Sequence, residues 1–248
     1  MKGIILAGGN GRRLDPLTAV TNKHLLAIYN QPMIFYPLKT LINSGIKDIF
    51  VVTGKAHADR FMQLLGPESE FDANFSFGIQ DDAGGIAQAL SLAKDHVGSD
   101  NSAVILGDNI FEDNFSPEVK EFEEQKGARI FLKKVEDPER FGVAEVEDEK
   151  VLNIEEKPAQ PKSSLAVTGL YMYDSDVFDI IGSLKPSDRG ELEITDVNNH
   201  YIGRGEMKAC TVKGDWTDAG TFESLYRANR LARKIVIDKN KCQTEVKS

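Results

Sequence analysis

Gly3-Ile4-Ile5-Leu6-Ala7 is an unbroken apolar run with β-branched residues, and it passes directly into Gly8-Gly9-Asn10-Gly11 and then Arg12 and Arg13. A short run that is apolar at every position marks a strand buried on both faces. Such a strand needs cover on each side, which points to a layered α/β arrangement. The loop that follows permits two readings. Its glycines let backbone N–H groups approach a polyphosphate, with Arg12 and Arg13 bringing positive charge. Alternatively it is a tight βα turn whose glycines relieve strain and bind nothing. The spacing is not GxGxxG, because Leu14 stands where the third glycine belongs, and no GK[ST] closes a P-loop.

The pattern repeats along the first half. Apolar strands are expected at 46–53 and 102–106, an alternating and therefore more edge-like strand at 74–80, and a further strand at 128–135. Helices are expected between them, at 57–65, 86–96 and 115–125. Asn30-Gln31-Pro32 reads as the start of another helix reaching Ile42, with Pro37 forcing a kink or a late start. Strand–helix alternation with short loops describes a mostly parallel central sheet with helices on both faces, a Rossmann-like three-layer arrangement. Ligands of such sheets bind beyond the carboxyl ends of the strands. Gly8 to Arg13, a second Gly-rich loop at 81–85 and Asp108 all fall there. After Asp137 the rhythm changes to strands at 141–146, 151–155 and 166–173, helices at 177–181 and 191–202, and a last strand at 207–212. This half is expected to add strands to the same core and to form one wall of a cleft. The chain is thus read as one domain, with a first half at 1–136 that carries the binding loops and a second half at 137–220. A C-terminal helix over 221–237 and a fraying tail at 238–248 complete it.

Asp108 follows an apolar strand directly, and Asp218 in Trp216-Thr217-Asp218-Ala219-Gly220 precedes the last long helix. Two carboxylates from distant segments can hold Mg²⁺ while phosphate oxygens and water complete the shell. Taken singly, Asp108 reads equally well as a turn residue and Asp218 as a helix cap. Lys23 and Lys157 are candidate cations, with Glu156 placed to accept from hydroxyls, although an EEK triplet is usually a solvated salt bridge. His24, His57, His96 and His200 show no metal spacing, and no Ser-His-Asp arrangement is evident. Cys210 and Cys242 are too few for a disulfide framework, which favours a reducing compartment. The formal charge of -9 argues against nonspecific binding of nucleic acid or of acidic membranes. With neither a signal peptide nor a long apolar span, a cytoplasmic location is expected.

Ten stretches, met in order along nearly the whole chain, resemble the sugar-1-phosphate nucleotidyltransferases, most closely the branch that makes a dTDP-sugar. They are GIILAGGNGRRLDPLT (3–18), NKHLL (22–26), QPMIFYPL (31–38), GGIAQAL (84–90), LGDNIF (106–111), DPERFGVAE (137–145), IEEKP (154–158), AVTGLYMYD (166–174), RGELEITDVN (189–198) and WTDAG (216–220). The resemblance implies transfer of a thymidylyl group from dTTP to glucose 1-phosphate, with Mg²⁺ as cofactor and a homo-oligomer as the assembly. It further implies that Leu6, Gly8, Gly9, Gly11, Arg12, Arg13, Gln80, Gly85 and Asp108 contact the nucleotide. Gly142, Glu156, Lys157 and Val167 would hold the sugar phosphate, Asp108 and Asp218 the metal. Arg13, Lys23 and Lys157 would carry charge in the reaction. The chain departs from many members at Ala27, where proline is common, and at His24, where longer members carry glutamine. Longer members also add a C-terminal helical segment, so a regulatory nucleotide site is not expected here. Three alternatives stay open: a uridylyltransferase, a nonenzymatic sensor on the same fold, and, least favoured, a dinucleotide-dependent oxidoreductase.

Overall fold

The structure, a computed structural model, describes residues 1–9, 11–82, 84–148 and 150–245, with backbone alone for 239–245. The first half contains β1 (Lys2–Ala7), the two-residue strands β2 (Ala27–Ile28) and β3 (Gln31–Pro32), α1 (Phe35–Asn43), β4 (Asp48–Gly54) and α2 (Ala58–Leu64). It continues with β5 (Asn74–Gln80), α3 (Ile86–Ser91), α4 (Lys94–Val97), β6 (Ser102–Leu106), β7 (Asn109–Phe111), α5 (Ser116–Phe122) and β8 (Ala128–Lys134). The second half contributes β9 (Gly142–Glu147), β10 (Lys150–Glu156), β11 (Leu165–Tyr173), α6 (Val177–Ser183) and α7 (Ile194–Arg204). The chain then forms β12 (Met207–Thr211), β13 (Trp216–Asp218) and α8 (Phe222–Glu245).

Period-two alternation divides the core into two layers. Ile4 and Leu6 of β1, Phe50 and Val52 of β4 and Tyr171 and Tyr173 of β11 face one cluster, closed by apolar residues of α3, α6 and α7. Ile5 and Ala7, Ile49 and Val51, and Leu170 and Met172 face the other, closed by α1, α2 and α5. A third cluster seats Ala228, Leu231 and Ala232 of α8 against Ile28, Met33 and Ile110. The helix therefore clamps the β2–β3 ribbon and β7 beside the main sheet.

The parallel block runs β5-β4-β1-β6, with Ile4 opposite Phe50 on one side and Val104 on the other. β11 is antiparallel to β6 and pairs along its other edge with β8, which carries β12 in parallel. Seven of the nine strands, β11 and β10 excepted, run the same way, so the sheet is mixed and mostly parallel. β6 pairs with β11 over Leu170–Tyr173, whereas β9 pairs with it at Ala166. β9 therefore begins where β6 ends, and the β9–β10 ribbon stands beyond the carboxyl rim as a second wall.

Four expectations are corrected. Gln31 and Pro32 pair with Ile28 and Ala27 rather than opening a helix, which starts at Phe35. Pro37 then lies in the first turn, where a missing N–H costs nothing. The helix expected over 86–96 breaks after Ser91, where the hydrogen bonds tighten to i→i−3 from Leu92 and Ala93. Residues 191–193 stay outside the helix, because the Leu192 backbone is engaged by the second Gly-rich loop, and α7 starts at Ile194 after an extended Glu193. Finally, α8 runs on to Glu245, past the tail boundary expected at 238, since no glycine or proline interrupts it. The side chain of Cys242 and residues 246–248 lie outside the described residues.

Candidate active site

Between the carboxyl rim and the β9–β10 wall lies a cleft of about 390 Å³. Its lining includes Leu6, Gly8, Gly9, Arg13, Lys23, Gln80, Gly85 and Asp108 from the first half, and Gly142, Glu156, Lys157, Val167 and Asp218 from the second. Two expected nucleotide contacts are absent from it. Gly11 serves the backbone, at φ 64 before the short 3-10 turn Arg12–Leu14, and the Arg12 side chain is exposed outside the cleft. Asn10 and Ala83, in the two Gly-rich loops, lie outside the described residues.

Both loops are held in place by close backbone packing. A Cβ on Gly8 would lie 2.1 Å from Oε1 of Gln80, so a side chain there would have to push this amide aside. Gln80 in turn donates from Nε2 to Oε1 of Gln88 at 2.6 Å and toward the Gly85 carbonyl at 3.5 Å. Gly85 sits at φ 99, ahead of α3, with its Cβ position 2.4 Å from the Leu192 carbonyl oxygen. Leu192 N–H donates to Gly84 O at 2.8 Å and Leu192 O accepts from Ala87 N–H at 3.1 Å. This strap ties the second loop to the segment before α7.

Asp108 is buried at the end of β6. It accepts from Lys23 Nζ at 2.6 Å and from Asn109 Nδ2 at 3.0 Å. Burial pushes its pKa up, but the Lys23 charge and these hydrogen bonds outweigh that and hold it well below the usual carboxylate range. Asn109, which sequence reasoning passed over, is a hub. Its Oδ1 accepts from Trp216 Nε1 at 2.8 Å and from Gly169 N–H at 3.0 Å, joining β7 to β11 and β13. The three-residue β7–β13 ladder pairs Asn109 with Asp218 directly, and so brings the second carboxylate toward the first. Asp218 does not cap α8. That role falls to Thr221, whose Oγ1 accepts from Ser224 N–H at 3.2 Å. Asp218 instead accepts from Arg140, from Gly220 N–H at 3.2 Å and from Ser224 Oγ at 3.3 Å. Arg13 approaches from the same side, its Nη2 2.9 Å from where a Cβ on Gly220 would stand.

Across the cleft, Glu156 bonds Thr195 Oγ1 at 2.8 Å and Lys157 Nζ at 2.9 Å. Lys157 is held at φ 44 immediately before Pro158, with its N–H bonded to Phe141 O at 2.9 Å. Left-handed backbone at a non-glycine residue costs about 1–2 kcal/mol, and strain of this kind collects at functional sites. Lys157→Gly is therefore expected to be more stable than Lys157→Ala by up to about 1 kcal/mol in urea denaturation, after allowing for glycine's larger unfolded-state entropy. Equal stabilities would show that the conformation stores no strain. Thr195 and Asn198 of α7 and Tyr171 of β11 also line this wall. Their motifs, RGELEITDVN and AVTGLYMYD, were visible in the sequence, but nothing in the spacing marked these residues.

His24 is the single histidine in the cleft lining. Its ring is buried, with Nδ1 2.7 Å from Asn22 Oδ1, and burial, aided by the Lys23 charge, lowers its pKa to about 3. It therefore stays neutral in the folded protein, whereas in the unfolded chain it takes up a proton near 6.5. Its contribution to stability is complete above that pH and is lost as the pH falls toward the folded value. In urea denaturation from pH 6.5 downward, wild-type stability is expected to fall relative to His24→Gln with a slope approaching ~1.4 kcal/mol per pH unit. Parallel curves for the two proteins would contradict this.

No group of three or more His, Cys, Asp and Glu side chains among the described residues could hold a metal. Two cleft carboxylates, each matched to a cation, fit instead a hard divalent ion that takes its remaining oxygens from substrate and water. Cys210 is a free, partly buried thiol packed on the second core layer.

The profile of the nucleotidyl transferase family matches residues 2–235, and the mixed α/β sheet with glycine loops and carboxylates at its carboxyl rim agrees with that class. The chain is 47% identical over 239 residues to the glucose-1-phosphate thymidylyltransferase of Mycolicibacterium smegmatis, covering 95% of this chain and 83% of that one. The corresponding protein of Neisseria meningitidis is 45% identical over 240 residues, with the same coverage. A Bacillus anthracis protein assigned as such an enzyme and crystallised with sucrose superposes with a TM-score of 0.90 at 56% identity, covering 94% of this chain and 95% of that one. A UDP-glucose pyrophosphorylase, at 23% identity and a TM-score of 0.82 over 94% of this chain and 98% of that one, shares the fold. The chain belongs to the glucose-1-phosphate thymidylyltransferase family.

Proposed function

We propose that the protein transfers a thymidylyl group from dTTP to glucose 1-phosphate, releasing pyrophosphate and forming dTDP-glucose. The observation that carries this reading is the composition of the cleft. One wall offers glycine backbone, Arg13 and Lys23 to a triphosphate and Gln80 to a base. The other offers Glu156 and Lys157 to a sugar phosphate, and Asp108 and Asp218 line the same cleft.

A phosphate monoester is already largely anionic at neutral pH, so no general base has to be supplied. This agrees with a cleft whose only histidine is held neutral by burial. The protein's task is to align the sugar phosphate with the α-phosphorus and to meet the negative charge that develops. Lys157 holds the attacking phosphate, while Arg13 and Lys23 face the departing pyrophosphate. Glu156, oriented by Thr195, accepts from sugar hydroxyls. Gln80, packed over Gly8 and bonded to Gln88, presents a fixed amide edge to thymine. Asp108 and Asp218 would hold Mg²⁺, which when bound would supply positive charge to offset the charge of the transferring phosphoryl group. Pyrophosphate release with glucose 1-phosphate and Mg²⁺, comparing dTTP with UTP, tests the assignment.

A further inference from the structure

Arg140 was given no role by its sequence, yet it occupies a decisive position. It ends the 3-10 turn Pro138–Arg140, and its guanidinium reaches into the cleft over the Phe141 ring, 4.9 Å from the centroid. Nη2 lies 3.1 Å from both oxygens of Asp218, while Nη1 bonds Asp137 Oδ2 at 2.8 Å. Asp137 lies a further 3.5 Å from Arg227 of α8. One cation thus bridges a carboxylate of the cleft and a carboxylate anchored outside it. Arg13 approaches Asp218 from the other side, past Gly220.

We infer that Arg140 is a positioning residue that stands on Asp218 in place of the divalent ion and gives it up when the ion arrives. The inference rests on the proposed role of Asp218 as a metal carboxylate. The chemistry of the arrangement supports an exchange rather than a fixed bridge. A guanidinium on both oxygens of a carboxylate blocks the directions a cation would use. The bond from Nη1 to Asp137 keeps Arg140 at the site after Nη2 is displaced, so the freed N–H groups face incoming phosphate. An empty site is thereby kept from burying an unpaired carboxylate, and a metal-loaded site gains a donor for its anionic substrate.

The test is Mn²⁺ binding to the nucleotide-free protein, read by electron paramagnetic resonance, in wild type, Arg140→Met, Arg140→Lys and Asp218→Asn. Removing the competing cation is expected to tighten Mn²⁺ binding in Arg140→Met by about tenfold, with Arg140→Lys intermediate. Adding Asp218→Asn to Arg140→Met is expected to abolish the gain. A purely structural arginine would leave binding unchanged or weaken it, and either result overturns the inference. If Arg140→Met does not fold, Arg140→Lys decides by the same criterion. Should Asp218→Asn bind Mn²⁺ as wild type does, the metal assignment itself fails. If Asp218→Asn weakens binding but neither Arg140 variant tightens it, only the exchange is wrong.

Discussion

Asp108→Asn is expected to lower the rate of nucleotidyl transfer by two to three orders of magnitude, about 3–4 kcal/mol of lost transition-state stabilisation. The substitution is nearly isosteric, so the shape of the cleft is retained and the loss is one of charge. It also leaves Lys23, bonded to Asp108 at 2.6 Å with both side chains largely buried, without its partner. An unpaired buried charge is costly, and a fall in unfolding free energy of about 2–3 kcal/mol is expected, because the cleft admits some water to the ammonium. The pH dependence follows from the same pair. Asp108 is held below its unfolded pKa, so its stabilising contribution is present above that value and is lost as the pH falls through the acid range. Steady-state kinetics and urea denaturation of the variant at pH 7.5 and in acid check both parts. Retained activity would remove Asp108 from the reaction.

Gly85→Ala is expected to raise the KM for nucleotide by more than about tenfold while shifting the melting temperature by only a few degrees. Alanine at φ 99 is strained, and its methyl group would stand 2.4 Å from Leu192 O and 2.8 Å from Leu192 N. The backbone strap joining Gly84 and Ala87 to Leu192 must then open. The parallel sheet lies beneath this strap and does not depend on it, so the damage is confined to the loop and to the start of α7. Gly8→Ala meets a softer obstacle, because the Gln80 side chain can move aside. It is therefore expected to have the smaller effect. Equal nucleotide KM values for wild type and Gly85→Ala would show that the loop does not meet the base.

The contrast between these two glycines shows where sequence carries structural information. β1, β4 and β6 announce themselves because burial on both faces demands apolar residues throughout. Gly85 stands out because few residues tolerate its surroundings, a positive φ and the Leu192 backbone. The β7–β13 ladder does not announce itself, since three-residue strands are too short to show a period, yet it is what carries Asp218 toward Asp108. Asn109 was hidden for a related reason. Beyond its chain neighbour Asp108, its partners Gly169 and Trp216 come from two distant segments, and only the folded sheet brings them to it. Arg140 looks from its local sequence like any turn arginine, and its meaning lies in Asp218, far along the chain. Arg12 and Arg13 read alike in the sequence because they adjoin, and of the two Arg13 is the one in the cleft lining.

The most direct test is pyrophosphate release by the wild-type protein with glucose 1-phosphate and Mg²⁺, with dTTP and UTP compared under identical conditions and Asp108→Asn as control. Rapid release with dTTP, a dTTP preference of tenfold or more from the added methyl and the missing hydroxyl, and near-silence from the variant are predicted. Release with neither nucleotide would contradict the account. Equal use of both would leave the mechanism standing and overturn the assignment of thymine to Gln80 and Gly85.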